Sequence, residues 1–257
     1  MDQKDLLARK VPRLREKPVR IDIVIVFHYR GGMVEFKDKL TANAIKYIAI
    51  EGNVGAGKTT LARLLSESAD ASLFLEEVDD NPFIERYYQD AEGYAFQAQI
   101  FFLLNRYRQQ MEITQQDLFS NILVADYLFA KDTVYAHVVL CDEELVLYNR
   151  LHSLLEGKIV CPDLVIYLQA STETLLHRIR KRGRSYERGI SKEYLDSLNE
   201  AFNHFFFHYE ESPLLIINTD KLDFTENREQ LDDIFARISD RFEGTRFYVP
   251  SWEIGMQ

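Results

Sequence analysis

Gly52-Asn53-Val54-Gly55-Ala56-Gly57-Lys58-Thr59 fits the pattern G-x-x-x-x-G-K-[ST] at every fixed position. Tyr47-Ile48-Ala49-Ile50 runs into it as a short buried strand, and Leu61, Leu64 and Leu65 follow at helical spacing. Glycines in such a loop let successive backbone N–H groups close on a polyphosphate, and the positive end of the following helix points at the same anion. Lys58 adds a point charge for the β- and γ-phosphates, and the Thr59 hydroxyl is suited to Mg²⁺, with Thr60 next along the helix start. A chance glycine-rich turn would lack the flanking strand and helix. The stretch therefore predicts a bound nucleoside triphosphate held by residues 52–60.

Working outward, 257 residues are enough for one generous core in a single α/β domain. A formal net charge of -10 disfavours binding to nucleic-acid polymers. Cys141 and Cys161 lie far apart in sequence and form no metal or redox motif, so reduced thiols of a cytosolic protein are the default reading. No apolar run approaches the length of a membrane span and no secretory signal is visible; a cytoplasmic protein without a membrane partner is expected.

Residues 4–20 are rich in Lys and Arg, and residues 23–27 form a brief apolar run. Asp2, Asp5, Glu16 and Asp22, with no serine in this stretch, argue against a transit peptide. Met33 stands just ahead of the clean domain start. Residues 1–45 are expected to be an N-terminal extension, with 1–32 either poorly ordered or the product of an upstream translation start. Residues 46–257 are expected to be the domain.

Beyond residue 45 the pattern alternates strand and helix. Strand-like runs fall at 46–50, 72–75, 122–125, 164–168 and 214–217, and helical periodicity at 58–68, 82–90, 94–115, 142–155, 172–182, 191–209 and 227–241. The prediction is an α/β fold with a five-stranded parallel sheet flanked by helices on both faces. Ligands of open parallel sheets sit beyond the carboxyl ends of the strands. Glu76 and Glu77 follow the second strand, Asp126 the third, and Asn218-Thr219-Asp220 the fifth. An isolated acid at such a place is most often a solvated loop residue or a helix cap. Three polar clusters on the rim that holds the phosphate loop point instead to a site.

In this order, the phosphate loop, Glu76-Glu77-Val78, the helix from Phe96 to Arg108, the stretch from Asp126 to Asp132 and the basic run from Arg178 to Gly189 resemble the deoxynucleoside kinase family, especially its bacterial deoxyadenosine and deoxyguanosine kinase members. The resemblance covers about residues 46–225 and implies a P-loop kinase fold. It further implies transfer of the γ-phosphoryl of ATP, with Mg²⁺, to the 5′-hydroxyl of a deoxynucleoside, a purine favoured. Phosphoryl transfer needs positioning and charge neutralisation more than covalent help. The alcohol must still lose a proton, and the resemblance nominates Glu76 as general base, with Glu77 where the family has proline. Gln99 and Arg106, about two helical turns apart on one face, match the residues that meet the base, and Asp132 matches the acid that orients the Arg. Tyr88 and Glu187 match the residues that hold the sugar 3′-hydroxyl. Arg182 and Arg184 of the lid would reach the transferring phosphoryl or the adenine face, with Arg178 as support, and Phe224 would stack on the adenine. Asp126 and Thr59 would hold the metal. Family members pair as homodimers through two helices, and the 94–115 and 142–155 helices would suit that.

The chain departs from the family after its third strand, where Asp126 is followed by Tyr127 and Leu128 instead of Arg and Ser. The missing Arg would help hold the catalytic carboxylate and the 5′-oxygen; Tyr127 or a spare lid Arg are candidates to compensate. Two other readings stay open: a nucleoside monophosphate kinase of the same fold, drawing on Arg86, Arg106 and Arg108, and a catalytically impaired nucleotide-binding regulator. His204 and His208 stand at metal-ligand spacing on one helix face, but Phe205-Phe206-Phe207 between them favour a packed helix with incidental histidines.

Overall fold

The computed structural model of the chain describes residues 30–115, 122–157 and 159–248. Of the expected N-terminal extension, residues 1–29 lie outside the described residues. Helix α1 (Arg30–Ala42) is described, and Phe36 and Leu40, one turn apart, are buried in the main core. The Phe36 ring stacks on Phe235 with centroids 4.7 Å apart. Residues that the sequence reading assigned to an extension thus pack with the domain.

Alternating strand and helix give β1 (Tyr47–Gly52), α2 (Lys58–Ala69), β2 (Ser72–Phe74), α3 (Ile84–Gln89), α4 (Ala91–Gln115), β3 (Leu123–Ala125), α5 (Lys131–Val139) and α6 (Asp142–Glu156). β4 (Leu164–Gln169), α7 (Thr172–Arg182), α8 (Lys192–Phe207), β5 (Leu214–Asn218), α9 (Arg228–Ser239) and β6 (Thr245–Tyr248) follow. The strands form one sheet in the order β2-β3-β1-β4-β5-β6. Every pairing is parallel. The sheet has six strands where five were expected: β6 pairs with β5 at the edge, with Ile217 opposite Tyr248. Its first three residues are exposed, so it lacks the buried apolar run that marks the inner strands.

Side chains alternate across the sheet, and the two faces bury different clusters. Ile48, Ile50, Leu164, Ile166 and Leu168 pack with Leu61 and Leu65 of α2, Leu175 and Ile179 of α7 and Ile234 and Ile238 of α9. Tyr47, Ala49, Val165 and Tyr167 face the other way, onto Leu198, Phe202 and Phe206 of α8. Fully burying each such aliphatic or aromatic side chain contributes roughly 1.5–3 kcal/mol. A third cluster joins α3, α4 and α6 through Ile84, Ala98, Leu103 and Tyr148. The chain runs from β1 out to β2, returns through β3, and then crosses to β4 on the far side of β1. The carboxyl ends of β1 and β3 therefore lie side by side at the point where the strand order reverses, which is where such sheets bind ligands.

Candidate active site

The loop between β1 and α2 turns at glycines that nothing else could replace. Gly52 has φ 155°, and a Cβ there would stand 2.5 Å from the Leu168 carbonyl oxygen. Gly57, φ 104°, opens α2 with the Phe224 ring against it. Asn53 is buried and ties the loop down: its Nδ2 donates to Asn199 Oδ1 at 2.8 Å and its Oδ1 accepts from the Val54 N–H at 2.7 Å. Lys58 Nζ folds back to donate to the Gly52 and Asn53 carbonyls at 2.7 and 3.2 Å. Burial, and then the neighbouring Lys131 charge, push its ammonium below its ordinary value. Because β3 adjoins β1, Asp126 reaches the start of α2, where its Oδ2 accepts from the Thr59 hydroxyl at 2.5 Å. Its Oδ1 accepts from the Glu76 N–H at 2.7 Å, which joins the ends of β2 and β3.

Glu76 stands at the centre of a charged network. Its Oε1 accepts from Arg106 on α4 and its Oε2 accepts from Lys131 Nζ at 3.0 Å. Arg106 also pairs with Asp132. Behind Lys131, at 3.6 Å, lies the carboxylate of Glu51, fully buried and accepting from the Gly52 N–H at 2.8 Å and the Leu128 N–H at 2.9 Å. Burial works to raise the Glu76 carboxyl, but the charges of Arg106, Lys131 and Lys58 hold it well below the usual carboxylate range. Glu51 behaves in the opposite way: burial outweighs its neighbours and pushes its carboxyl up. Lys131, only 1% exposed, and Glu51 carried no motif and went unread in the sequence. A Lys beside Asp132, the residue that pairs with Arg106, was the one available signal.

One cavity brings together Val54, Gly55, Lys58, Thr59, Glu76, Tyr88, Gln99, Arg106, Asp126, Lys131, Arg182, Arg184 and Glu187. Gln99 and Arg106 enter it from one face of α4, with the guanidinium of Arg106 over the Phe102 ring at 5.1 Å. Tyr88 stacks on Tyr186 with centroids 5.8 Å apart. On the lid, Arg182 donates from Nε and Nη2 to the two oxygens of buried Glu187, at 3.1 and 2.5 Å. Arg184 lies 3.8 Å from Glu187 and 3.6 Å from Asp79, whose Oδ1 accepts from the Tyr186 hydroxyl at 2.5 Å.

Other expected residues stand back from the cavity. Asp132 is fully buried behind Arg106. Gly52, Asn53, Ala56, Gly57 and Thr60 belong to the loop and helix start without lining the cavity. Arg178 spends its guanidinium on main chain and Thr219, donating to the Thr219 hydroxyl at 2.8 Å, the Thr219 carbonyl at 2.7 Å and the Ala56 carbonyl at 3.3 Å. It clips the phosphate loop to the end of β5 and supports the site from outside. Phe224 is buried against Gly57 and presents no open face for an adenine. Asp220 accepts from the N–H and hydroxyl of Ser171, so the cluster after β5 serves the start of α7. Tyr127 is fully buried in the core on the α8 side of the sheet and does not reach the cavity. The rings of His204 and His208 pack 4.6 Å apart, and among the described residues no group of three His, Cys, Asp or Glu could hold a metal ion. No helix of the described residues is long and apolar enough to cross a membrane.

With this geometry in view, the comparisons with known proteins agree with one another. The sequence model described as "Deoxynucleoside kinase" matches residues 48–242. A deoxyguanosine kinase of Bacillus subtilis is 34% identical over 203 residues, 77% of this chain and 98% of that one. A deoxyadenosine kinase of Lactobacillus acidophilus is 31% identical over 207 residues, 77% of this chain and 96% of that one. The structure of deoxyadenosine kinase from M. mycoides with bound dATP superposes with a TM-score of 0.67 at 29% identity, covering 76% of this chain and all of that one. Sequence, architecture and the carboxylate–lysine cavity converge, and the chain belongs to the deoxynucleoside kinase family, the enzymes that phosphorylate deoxynucleosides.

Proposed function

We propose that the chain transfers the γ-phosphoryl of ATP, with Mg²⁺, to the 5′-hydroxyl of a purine deoxynucleoside in cytoplasmic nucleotide salvage. The observation that carries this reading is that Glu76 and Lys58 face one cavity from the ends of neighbouring elements, so an alcohol and a triphosphate can lie end to end. Thr59 and Asp126 offer hard oxygen donors close together, which suits Mg²⁺. When bound there, Mg²⁺ supplies neutralising charge for the phosphoryl oxygens.

The protein's own groups do the rest. Loop N–H groups and Lys58 hold the triphosphate, Lys58 exchanging its loop carbonyls for phosphate oxygens. The charges of Arg106, Lys131 and Lys58 favour the ionised form of Glu76, which orients the 5′-hydroxyl and accepts its proton as the new phosphorus–oxygen bond forms. Tyr88 and Glu187 hold the sugar hydroxyl, which requires Arg182 to leave Glu187 and frees its guanidinium for the phosphoryl. Gln99 and Arg106 read the base, the Arg held by Asp132. Relatives named for deoxyguanosine and deoxyadenosine support a purine.

We also read the active form as a homodimer. α4 and α6 pack together and carry exposed large apolar side chains: Leu104 on α4, and Val146, Leu147 and Leu154 on α6.

Purified protein incubated with Mg·ATP and a panel of deoxynucleosides should yield 5′-dAMP or 5′-dGMP faster than 5′-dTMP, followed by ion-exchange chromatography. Products formed only from nucleoside monophosphates would overturn the assignment of the acceptor.

A further inference from the structure

We propose that Lys131 is a positioning residue for phosphoryl transfer: from the first turn of α5 it fixes the second oxygen of Glu76, and Glu51 holds it there. The inference rests on the reading of Glu76 as the carboxylate that meets the 5′-hydroxyl.

The geometry is specific. Arg106 takes Glu76 Oε1, which leaves Oε2 free to rotate toward any donor. Lys131 Nζ closes that freedom at 3.0 Å, nearer than its contact of 3.6 Å with Glu51. Both carboxylate oxygens are then engaged from opposite sides, so the plane of the carboxylate is set before any substrate arrives. The lysine is buried yet lines the cavity beside Glu76.

Stability does not account for the arrangement. Taking a lysine and a glutamate out of water costs as much as or more than their attraction returns, and apolar side chains of similar volume would fill the space as well. Glu51 repeats the pattern, since a buried carboxylate pushed toward its neutral form is a poor choice for a merely packed site. It accepts from main-chain N–H groups at the end of β1 and at Leu128, so it locks the segment that leads into α5 to the phosphate loop. Glu51, Lys131 and Glu76 thus form a chain from the loop that grips the donor to the carboxylate that meets the acceptor. The lid guanidinium groups of Arg182 and Arg184 do not take this position, being engaged with Glu187 and Asp79.

The test uses Lys131→Met, Lys131→Arg, Glu76→Gln and Glu76→Gln/Lys131→Met in the full chain, with steady-state kinetics and binding of a fluorescent ATP analogue. Displacing a reacting group by about 1 Å costs on the order of a hundredfold. Lys131→Met should therefore lower kcat about a hundredfold, with acceptor KM and analogue affinity changing by less than about threefold. Lys131→Arg should recover part of that loss. A residue that acts through Glu76 has nothing left to position once Glu76 is gone, so Lys131→Met should cost little more in the Glu76→Gln background. If the unpaired Glu51 prevents folding of Lys131→Met, the same measurements are made on Lys131→Met/Glu51→Gln, which removes both buried charges. Full activity of the folded lysine variant, or an equal loss with and without Glu76, overturns the proposal. An active Glu76→Gln enzyme would instead overturn the reading of Glu76 itself, so the two failures are distinct.

Discussion

Arg106 reaches two carboxylates at once, Glu76 in the cavity and Asp132 behind it, and the second fixes where the first is met. Burial works against the guanidinium charge, and Glu76 more than restores it. Asp132→Asn keeps the shape and removes the anion behind Arg106. A hydrogen bond to a charged group contributes roughly 1.5–3 kcal/mol, so acceptor KM should rise on the order of tenfold or more while kcat changes less. Initial-rate kinetics over a range of deoxynucleoside concentrations check this, and an unchanged KM would remove Asp132 from base recognition. Gln99 and Arg106 were nominated by helical spacing together with the family resemblance, and Asp132 by the resemblance alone. Lys131 and Glu51 were not, because a buried lysine is recognised by what surrounds it and nothing in sequence places it beside Glu76.

At the scale of elements, α6 holds its neighbours through an aromatic seam that is sensitive to protons. His152 lies 5.2 Å from the Phe129 ring and 6.2 Å from Tyr148, and its Nε2 is buried without a partner. Burial pushes its imidazole below the ordinary value, with Glu156 at 3.9 Å a weaker opposing influence. The unfolded chain therefore binds this proton more readily than the folded one. Stability from His152 is complete above the ordinary histidine value near 6.5 and declines as pH falls toward the lower folded value. Thermal melts at pH 7.5 and 5.5, at fixed protein concentration, should show a smaller drop in Tm for His152→Gln than for the parent. Equal drops would mean that the titration lies elsewhere. α6 itself was read from its apolar spacing, whereas α5 was missed: its first turn, Lys131 and Asp132, is charged and yet buried, which inverts the usual face pattern. β6 was missed for the opposite reason, being too exposed at the sheet edge to present a core-facing run. The four inner strands β3, β1, β4 and β5 were legible because burial on both faces demands continuous apolar residues.

For the whole molecule, the unpaired apolar side chains of α4 and α6 set the last expectation. Leu154 is 76% exposed, Val146 55%, Leu104 54% and Leu147 49%, while Ala95, Ala98, Leu103 and Tyr148 of the same two helices pack into the third core cluster. Single exposed leucines need no explanation, but several on two adjoining helices are characteristic of an interface between subunits. Light scattering after gel filtration should give twice the 30.1 kDa chain mass for the parent. Leu154→Glu and Leu147→Glu place like charges at the same contact on both subunits, because a two-fold interface presents every residue twice. Each should shift the mass toward 30.1 kDa. Association stabilises only the folded form, so the parent's Tm should rise with protein concentration and the monomeric variants' should not. Since α4 also carries Gln99 and Arg106, loss of pairing should reach the cavity as a higher acceptor KM before it reaches kcat, in contrast to Lys131→Met. A parent that elutes as a monomer with a concentration-independent Tm would assign these leucines to some other surface.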